Sequence, residues 1–325
     1  MTTKHYDMIK KLLIIAAMTL AGITTGTMLA QESSISPDGT YLYTKRDTCD
    51  LFMDVYNPAA GSATVAYGQE KPTVIFMFGG GFIQGTRDDA DYHRWFRQMT
   101  ENGYRVISID YRLGLKGSDK VGVAQVNVLD KAIHMAVEDL FSATNFILAN
   151  AEQFGVQPDN IVISGSSAGA ISVMQAEYEI ANRTEWASVL PSGFNYAGVM
   201  SFSGAILSRE GKVDFKDDPC PTLMLHGTSD KLVPYEQIKV FNLGFFGGGK
   251  LVERFKKYGL SYNMYHFVDY GHEIAESMDT TLDLQIKFLE TNVMQKKPRI
   301  IEAWVDDPDV YKGSGPQSRK ELYGN

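Results

Sequence analysis

The sequence predicts an α/β protein whose mostly parallel sheet is covered by helices on both faces. Short, continuous apolar runs such as residues 73–78 and 160–164 are typical of strands buried on both sides. Longer segments with helical spacing of apolar residues separate these runs, as parallel crossovers require. With 44% hydrophobic and 22% charged residues, the composition is that of an ordinary soluble globular protein.

The elements can be assigned in chain order. Residues 40–57 predict an antiparallel pair of strands at the sheet edge, with its turn at residues 45–47. Residues 129–153 carry apolar side chains at close to helical spacing, and further helices are predicted within residues 234–258 and 273–293. The remaining strands are predicted at residues 73–78, 106–113, 160–164, 197–203, 221–226 and 262–268.

The most informative motif is the glycine-serine corner at residues 165–169, Gly-Ser-Ser-Ala-Gly. It follows the predicted strand 160–164 and precedes a segment with the composition of a helix start. A G-x-S-x-G sequence between a strand and a helix is a nucleophile elbow, which holds the central serine, Ser167, above the sheet edge. The following helix N-terminus favours developing negative charge there.

Two downstream segments supply the partners that a serine nucleophile needs. Asp230 lies in the loop that follows the predicted strand 221–226, and His272 follows the strand 262–268. The chain order Ser, Asp, His is the order that a catalytic triad takes after such an elbow, with His272 as base and Asp230 as orienting acid. Asp269 is the reserve acid, and His226 has a strand-end position that fits the base less well.

A glycine run supplies candidate oxyanion donors. The strand 73–78 leads directly into Gly79, Gly80 and Gly81, where absent side chains leave backbone N–H groups able to approach a substrate oxygen. The N–H of Ala168, directly after the nucleophile, is the other candidate donor.

These segments resemble the α/β-hydrolase superfamily, and within it the carboxylesterases. Residues 79–85 look like the oxyanion loop of type-B carboxylesterases, residues 106–113 resemble the strand that follows it, and residues 154–169 resemble the approach to the nucleophile. The segment 226–234 is closer to small acetyl- and feruloyl-esterases and to prolyl-oligopeptidase-like domains. The resemblance implies an α/β-hydrolase fold with an eight-stranded sheet and no large lid domain. It also implies that Gly80 and Gly81, rather than Gly79, supply the oxyanion donors.

Three departures from the family pattern leave the substrate subclass open: Phe78, Ser166 and Glu273. Aromatic residues after the glycine run are candidates for lining a substrate pocket, namely Phe82, Tyr92 and Trp95. The core is the alternative location for each of them.

The first thirty residues differ in kind from the rest. Lysines precede the apolar run 12–21, and small residues follow it, as in a secretory signal peptide. We therefore expect a signal peptide at 1–30, a catalytic domain at 31–295 and a partly mobile tail at 296–325, with export to the periplasm or the exterior. The formal net charge of −8 and the lack of basic clusters argue against nucleic acid, or a membrane surface after cleavage, as a partner.

Together these features predict a secreted serine carboxylesterase that acts on small or carbohydrate-borne acyl esters and needs neither metal nor organic cofactor. The segment around Asp230 keeps a prolyl-oligopeptidase-like peptidase open, although the chain has no room for the accessory domain usual in those enzymes. A non-catalytic binding protein on the same scaffold is the third possibility. The oligomeric state cannot be read from the sequence.

Overall fold

The computed structural model describes residues 34–117, 126–306, 316–318 and 321–322. The chain divides into two compact units, Met1–Ser36 and Pro37–Asn325. Only residues 34–36 of the first unit are described, so the predicted signal peptide at 1–30 lies outside the described residues. All the elements below belong to the second unit.

A nine-stranded, mostly parallel sheet forms the centre of the described part of this unit. In chain order, the strands of the unit are β1 (Gly39–Lys45), β2 (Asp50–Tyr56), β3 (Val65–Ala66), β4 (Gln69–Glu70), β5 (Thr73–Met77), β6 (Arg105–Ile109), β7 (Ile161–Ser166), β8 (Gly198–Phe202), β9 (Ala205–Ser208), β10 (Thr222–Gly227), β11 (Gln237–Val240), β12 (Leu243–Gly247), β13 (Tyr262–Phe267) and β14 (Ile300–Val305). The main sheet has the order β1-β2-β6-β5-β7-β8-β10-β13-β14. Of these nine strands, β2 alone runs opposite to the other eight.

The central strands are buried along their whole length. Every residue of β5, β7, β8, β10 and β13 is buried. Strands covered on both faces have no polar side to show, which explains the continuous apolar runs in the sequence. The predicted α/β class, with a mostly parallel central sheet, is confirmed.

Five helices of more than one turn accompany the sheet in the described residues: α1 (His93–Glu101), α2 (Val126–Ala149), α3 (Ala168–Ala181), α4 (Gly248–Tyr258) and α5 (Leu282–Phe288). Helix α3 packs against β7, β8 and α2, and twelve of its fourteen residues are buried. No helix in the described ranges is long and apolar enough to cross a membrane.

The structure corrects three details of the predicted fold. The main sheet has nine strands rather than eight, because residues 300–305, assigned to the tail, pair in parallel with β13 as the edge strand β14. Residues 237–247 form a hairpin, β11–β12, that joins β9 in a small second sheet. The predicted closing helix is divided into a 3-10 turn at His272–Glu276, the helix α5 and a π-helical turn at Leu289–Met294.

A buried ion-pair network fastens the edge hairpin to the rest of the sheet. The side chain of Asp139, on α2, is 0% exposed and lies 2.9 Å from Arg46 in the β1–β2 turn and 2.8 Å from Arg112 after β6. Asp139 also accepts a hydrogen bond from the Arg112 backbone N–H at 2.8 Å. A buried carboxylate needs such partners, so Arg112 in the quoted family motif has a structural role here.

Candidate active site

Ser167 stands at a tight corner between β7 and α3. Its backbone has φ 51° and ψ −113°, a conformation that residues other than glycine rarely adopt. A Cβ atom at Gly165 would lie 2.3 Å from the carbonyl carbon of Gly169, and one at Gly169 would lie 2.0 Å from the Met77 oxygen. Both glycines are therefore required for the chain to turn this closely, as the motif predicts.

The structure brings the three predicted catalytic side chains together in one hydrogen-bonded row. Ser167 Oγ lies 2.7 Å from His272 Nε2, and His272 Nδ1 lies 2.8 Å from Asp230 Oδ2. The residues follow the carboxyl ends of β7, β10 and β13, which meet at one edge of the sheet. Each is 7% exposed, so the row is shielded from bulk solvent but still reachable.

The environment of Asp230 keeps its carboxyl group ionised. Burial alone would raise the pKa of Asp230, but hydrogen bonds from His226 and His272 hold it well below its usual range. The other carboxylate oxygen, Oδ1, accepts the backbone N–H groups of Leu232 at 2.9 Å and Val233 at 3.0 Å. The reserve acid Asp269 is exposed, and Asp230 is the carboxylate that contacts His272.

The glycine run lies directly against the nucleophile elbow. A Cβ atom at Gly79 would come within 3.3 Å of Ser167 Cβ. The Gly79 N–H donates to the Tyr92 hydroxyl at 3.0 Å, whereas Gly80 and Gly81 adopt φ angles of 107° and 64° in a tight turn. Because Gly79 is engaged in this way, the geometry is compatible with the predicted donors, Gly80 and Gly81.

Ala168 is the first residue of α3, so its N–H has no acceptor within the helix. The Ala168 N–H directly follows the nucleophile, at the position that the elbow motif predicts for an oxyanion donor.

Tyr111 supports the glycine run, a role that the sequence analysis missed. Its hydroxyl donates to the Phe78 carbonyl oxygen at 2.8 Å, and its ring stacks on the Phe78 ring at a centroid distance of 4.4 Å. The hydrogen bond and the stacking hold the end of β5 in place, where the candidate oxyanion donors begin. Tyr111 lies within residues 106–113, the segment that resembles a strand of the family. That resemblance was the signal from which its role could have been found.

The predicted pocket residues do not share one environment. Trp95 and Phe82 are each 1% exposed, and the Trp95 indole N–H donates to Gln285 Oε1 at 2.7 Å. Both side chains are packed in the core, so the structure favours for each the alternative location over the substrate pocket. Tyr92 is partly exposed, and its position beside Gly79 leaves its prediction standing.

Two further residues contact the catalytic row without having been predicted there. His226 Nε2 lies 3.4 Å from Asp230 Oδ2. Gln317, in the segment expected to be a partly mobile tail, accepts the backbone N–H of His272 at 2.9 Å through its Oε1. The sequence marked His226 only by its strand-end position and carried no signal for Gln317.

Part of the chain is similar in sequence to a known family, to an esterase and to a lipase. The model of the BD-FAE family matches residues 53–204. Gut esterase 1 of Caenorhabditis elegans is 28% identical over 131 residues, which cover 40% of this chain and 22% of that protein. Bile salt-activated lipase of Rattus norvegicus is 27% identical over 147 residues, covering 44% of this chain and 22% of that protein. The chain thus spans about a fifth of the length of these relatives.

Solved structures show the same fold over more of the chain. The apo form of Thermogutta terrifontis esterase 2 superposes with a TM-score of 0.54 and 21% identity, covering 78% of this chain and 94% of that one. In the described residues, as in the predicted fold, no large lid domain covers the catalytic edge of the sheet. The chain thus has the α/β-hydrolase fold of this esterase, and over part of its length its sequence is similar to the BD-FAE family, to an esterase and to a lipase.

Proposed function

We propose that this protein is a serine carboxylesterase that hydrolyses acyl esters through a covalent acyl-enzyme. The observation that carries this proposal is the continuous hydrogen-bonded row from Ser167 through His272 to Asp230. A nucleophile, a base within hydrogen-bond reach and a third group that orients the base form the general signature of nucleophilic catalysis. The esterases and lipase among the matched relatives support the same reaction class.

In the proposed mechanism each of the three residues has a step. His272 Nε2 takes the Ser167 hydroxyl proton as Oγ attacks the acyl carbonyl carbon, and Asp230 stabilises the resulting imidazolium. The same imidazolium then protonates the departing alkoxide, leaving the acyl group on Ser167. A water molecule, deprotonated by His272, attacks this ester. The imidazolium then returns the proton to Ser167 Oγ as the bond to the acyl carbon breaks, which releases the carboxylic acid and the free enzyme.

The tetrahedral intermediate of each half-reaction carries its negative charge on the former carbonyl oxygen. We assign its stabilisation to the N–H groups of Gly80 and Gly81, which follow Gly79 beside the elbow, and of Ala168, which directly follows Ser167. Removal of one such donor typically costs about 3–4 kcal/mol in transition-state stabilisation, so the glycine run should matter nearly as much as the triad.

The proposed substrates are short-chain esters, including acetyl or feruloyl esters of carbohydrates. No large lid covers the site in the described ranges, which favours substrates whose alcohol part extends into solvent. The resemblance of the segment 226–234 to small acetyl- and feruloyl-esterases points the same way.

A direct comparison of substrates tests this function. p-Nitrophenyl esters of increasing acyl length, methyl ferulate and an acetylated oligosaccharide should be compared with an aminoacyl-p-nitroanilide, each with the wild type and with Ser167→Ala. We expect hydrolysis of short esters by the wild type alone. Faster hydrolysis of the anilide would identify a peptidase, and no Ser167-dependent turnover of any substrate would favour a non-catalytic binding protein.

We also propose that the chain is exported and that residues 1–30 are removed. The charged start and the apolar run that follows it support this proposal. Expression of the full chain in a bacterial host, followed by mass spectrometry of the exported form, should give a new N-terminus near residue 31. Retention of the intact chain in the cytoplasm would contradict it.

A further inference from the structure

A second histidine is packed against the triad acid. His226 lies at the carboxyl end of β10 with a side chain that is 1% exposed. Its Nε2 is 3.2 Å from the Val233 carbonyl oxygen and 3.4 Å from Asp230 Oδ2. The His226 imidazole therefore approaches the same carboxylate oxygen that His272 contacts.

The partners of His226 determine which of its nitrogens carries the proton. Its Nδ1 accepts the backbone N–H of Gly248, the first residue of α4, at 3.3 Å. A backbone N–H can only donate and the Val233 carbonyl can only accept, so this network assigns the proton to Nε2. The Nε2–H is thus directed at the Val233 oxygen and at Asp230 Oδ2.

Two imidazoles consequently share one carboxylate oxygen. Asp230 Oδ2 accepts from His272 Nδ1 at 2.8 Å and faces the Nε2–H of His226, while its other oxygen accepts two backbone N–H groups. Four N–H groups around one buried carboxylate restrict its rotation and distribute its charge.

We propose that His226 is a positioning residue of the catalytic row. Its Nε2–H holds Asp230 Oδ2 in line with His272 and withdraws part of the carboxylate charge from that imidazole. The inference rests on the proposed function, because it assigns His226 a part in the same reaction.

The other ionisable groups near His226 are engaged elsewhere. The Tyr235 ring packs edge-on against His226 at a centroid distance of 5.7 Å, and its hydroxyl lies 2.6 Å from His266 Nδ1. His266 is the register partner of His226 on β13, and its Nε2 lies 3.4 Å from Glu302 Oε1. Burial lowers the pKa of His266, and Glu302 opposes that effect.

Two substitutions separate the contact with Asp230 from the contact with Gly248. In His226→Asn the amide oxygen takes the place of Nδ1, so the acceptor for the Gly248 N–H is kept and the donor to Asp230 is lost. In His226→Gln the amide nitrogen takes the place of Nε2, so the donor is kept and the acceptor is lost. Circular dichroism and the melting temperature of each variant establish that it folds.

We expect His226→Asn to lower kcat about tenfold, the size of one lost hydrogen bond to a charged group, with KM unchanged. The acid limb of kcat/KM should move to higher pH, because the less compensated carboxylate stabilises the imidazolium of His272 more strongly. His226→Gln should keep most of the activity and leave the acid limb in place. Equal losses in both variants with an unmoved acid limb, or wild-type kcat in His226→Asn, would overturn the proposal.

A readout without substrate keeps this test independent of the proposed function. The low-field proton NMR resonance of the His272 Nδ1–H should move downfield in His226→Asn, because one competing donor is removed, and stay in place in His226→Gln. If the wild type hydrolyses no ester, the proposed function fails while this resonance still decides the inference. If His226→Asn does not fold, His226→Ala replaces it in both the kinetic and the NMR measurement, because it too has no donor to Asp230 Oδ2; no change in either readout would overturn the proposal.

Discussion

Glu177, on the buried helix α3, should make the stability of this protein fall as the pH rises. The carboxylate is 3% exposed and accepts the backbone N–H of Cys220 at 2.7 Å and the Asn195 side chain at 3.3 Å. Burial outweighs these hydrogen bonds and raises the pKa of Glu177 from 4.5 to about 7. Replacement of Glu177 by Gln keeps the shape and an acceptor for both donors but cannot ionise.

The size of the effect follows from the two pKa values. Between 4.5 and about 7 the unfolded chain has lost the Glu177 proton while the folded chain still holds it, so the free energy of unfolding falls with rising pH. Each pH unit in this window is worth about 1.4 kcal/mol, which gives about 3 kcal/mol between pH 4 and pH 8. Glu177→Gln should therefore gain about 3 kcal/mol relative to the wild type over that range.

Urea unfolding followed by circular dichroism at pH 4, 6 and 8 measures this difference. Glu179, two residues further along α3, provides the control. Burial would raise its pKa, but hydrogen bonds from His134, Thr184 and Gln175 bring the pKa of Glu179 below its usual value. Glu179→Gln should thus cost stability at neutral pH, and the cost should fade as the pH falls. A pH-independent difference between the wild type and Glu177→Gln would refute the reasoning.

The remaining predictions concern catalysis. Ser167→Ala and His272→Ala should each lower kcat by about four to six orders of magnitude with the fold retained. Asp230→Asn should lower kcat somewhat less, because the base His272 is still present. Near-wild-type ester hydrolysis by Ser167→Ala would contradict the mechanism. Ser166→Ala should keep most of the activity, because the Ser166 hydroxyl is engaged outside the row, where it donates to the Ala275 carbonyl oxygen at 2.8 Å. A loss as large as that of its neighbour would contradict this interpretation. Gly80→Pro should reduce kcat more than it changes KM, because proline has no N–H and cannot adopt the φ of 107° found at Gly80. Circular dichroism should show whether the variant is folded. An unchanged kcat in a folded variant would exclude Gly80 as an oxyanion donor.

The sequence predicted the parts of the fold that are buried on both sides and missed those that are not. The strands β5, β7, β8, β10 and β13 are continuous apolar runs, and such runs are a strong signal. The hairpin β11–β12 was missed because its strands are only four and five residues long and all four residues of β11 are exposed. The edge strand β14 pairs on one side only and is half-exposed, so its short apolar run was mistaken for part of a tail.

Within the site, the sequence predicted the residues that belong to local motifs. The corner at Ser167 and the strand-end positions of Asp230 and His272 could be read directly, because each depends on residues adjacent in the chain. The contact of His226 with Asp230 and that of Gln317 with His272 depend on how loops pack after the sheet has formed, and no local pattern records this. Trp95 is the opposite case. It follows the glycine run in the sequence, but its ring packs in the core against aromatic side chains on α1 and β5.

The spacing of the catalytic row along the chain determines when the protein can first become active. The nucleophile and the base are 105 residues apart, and the strands that carry Ser167 and His272 are separated in the sheet by β8 and β10. A nascent chain that ends at residue 204 contains all of the segment matched by the family model, including the elbow, but neither acid nor base. Contacts between residues this far apart in a chain are slow to form. Ester hydrolysis should therefore appear only once β13 and the turn at His272 are in place, and a chain cut before residue 272 should remain inert even where its first half is folded.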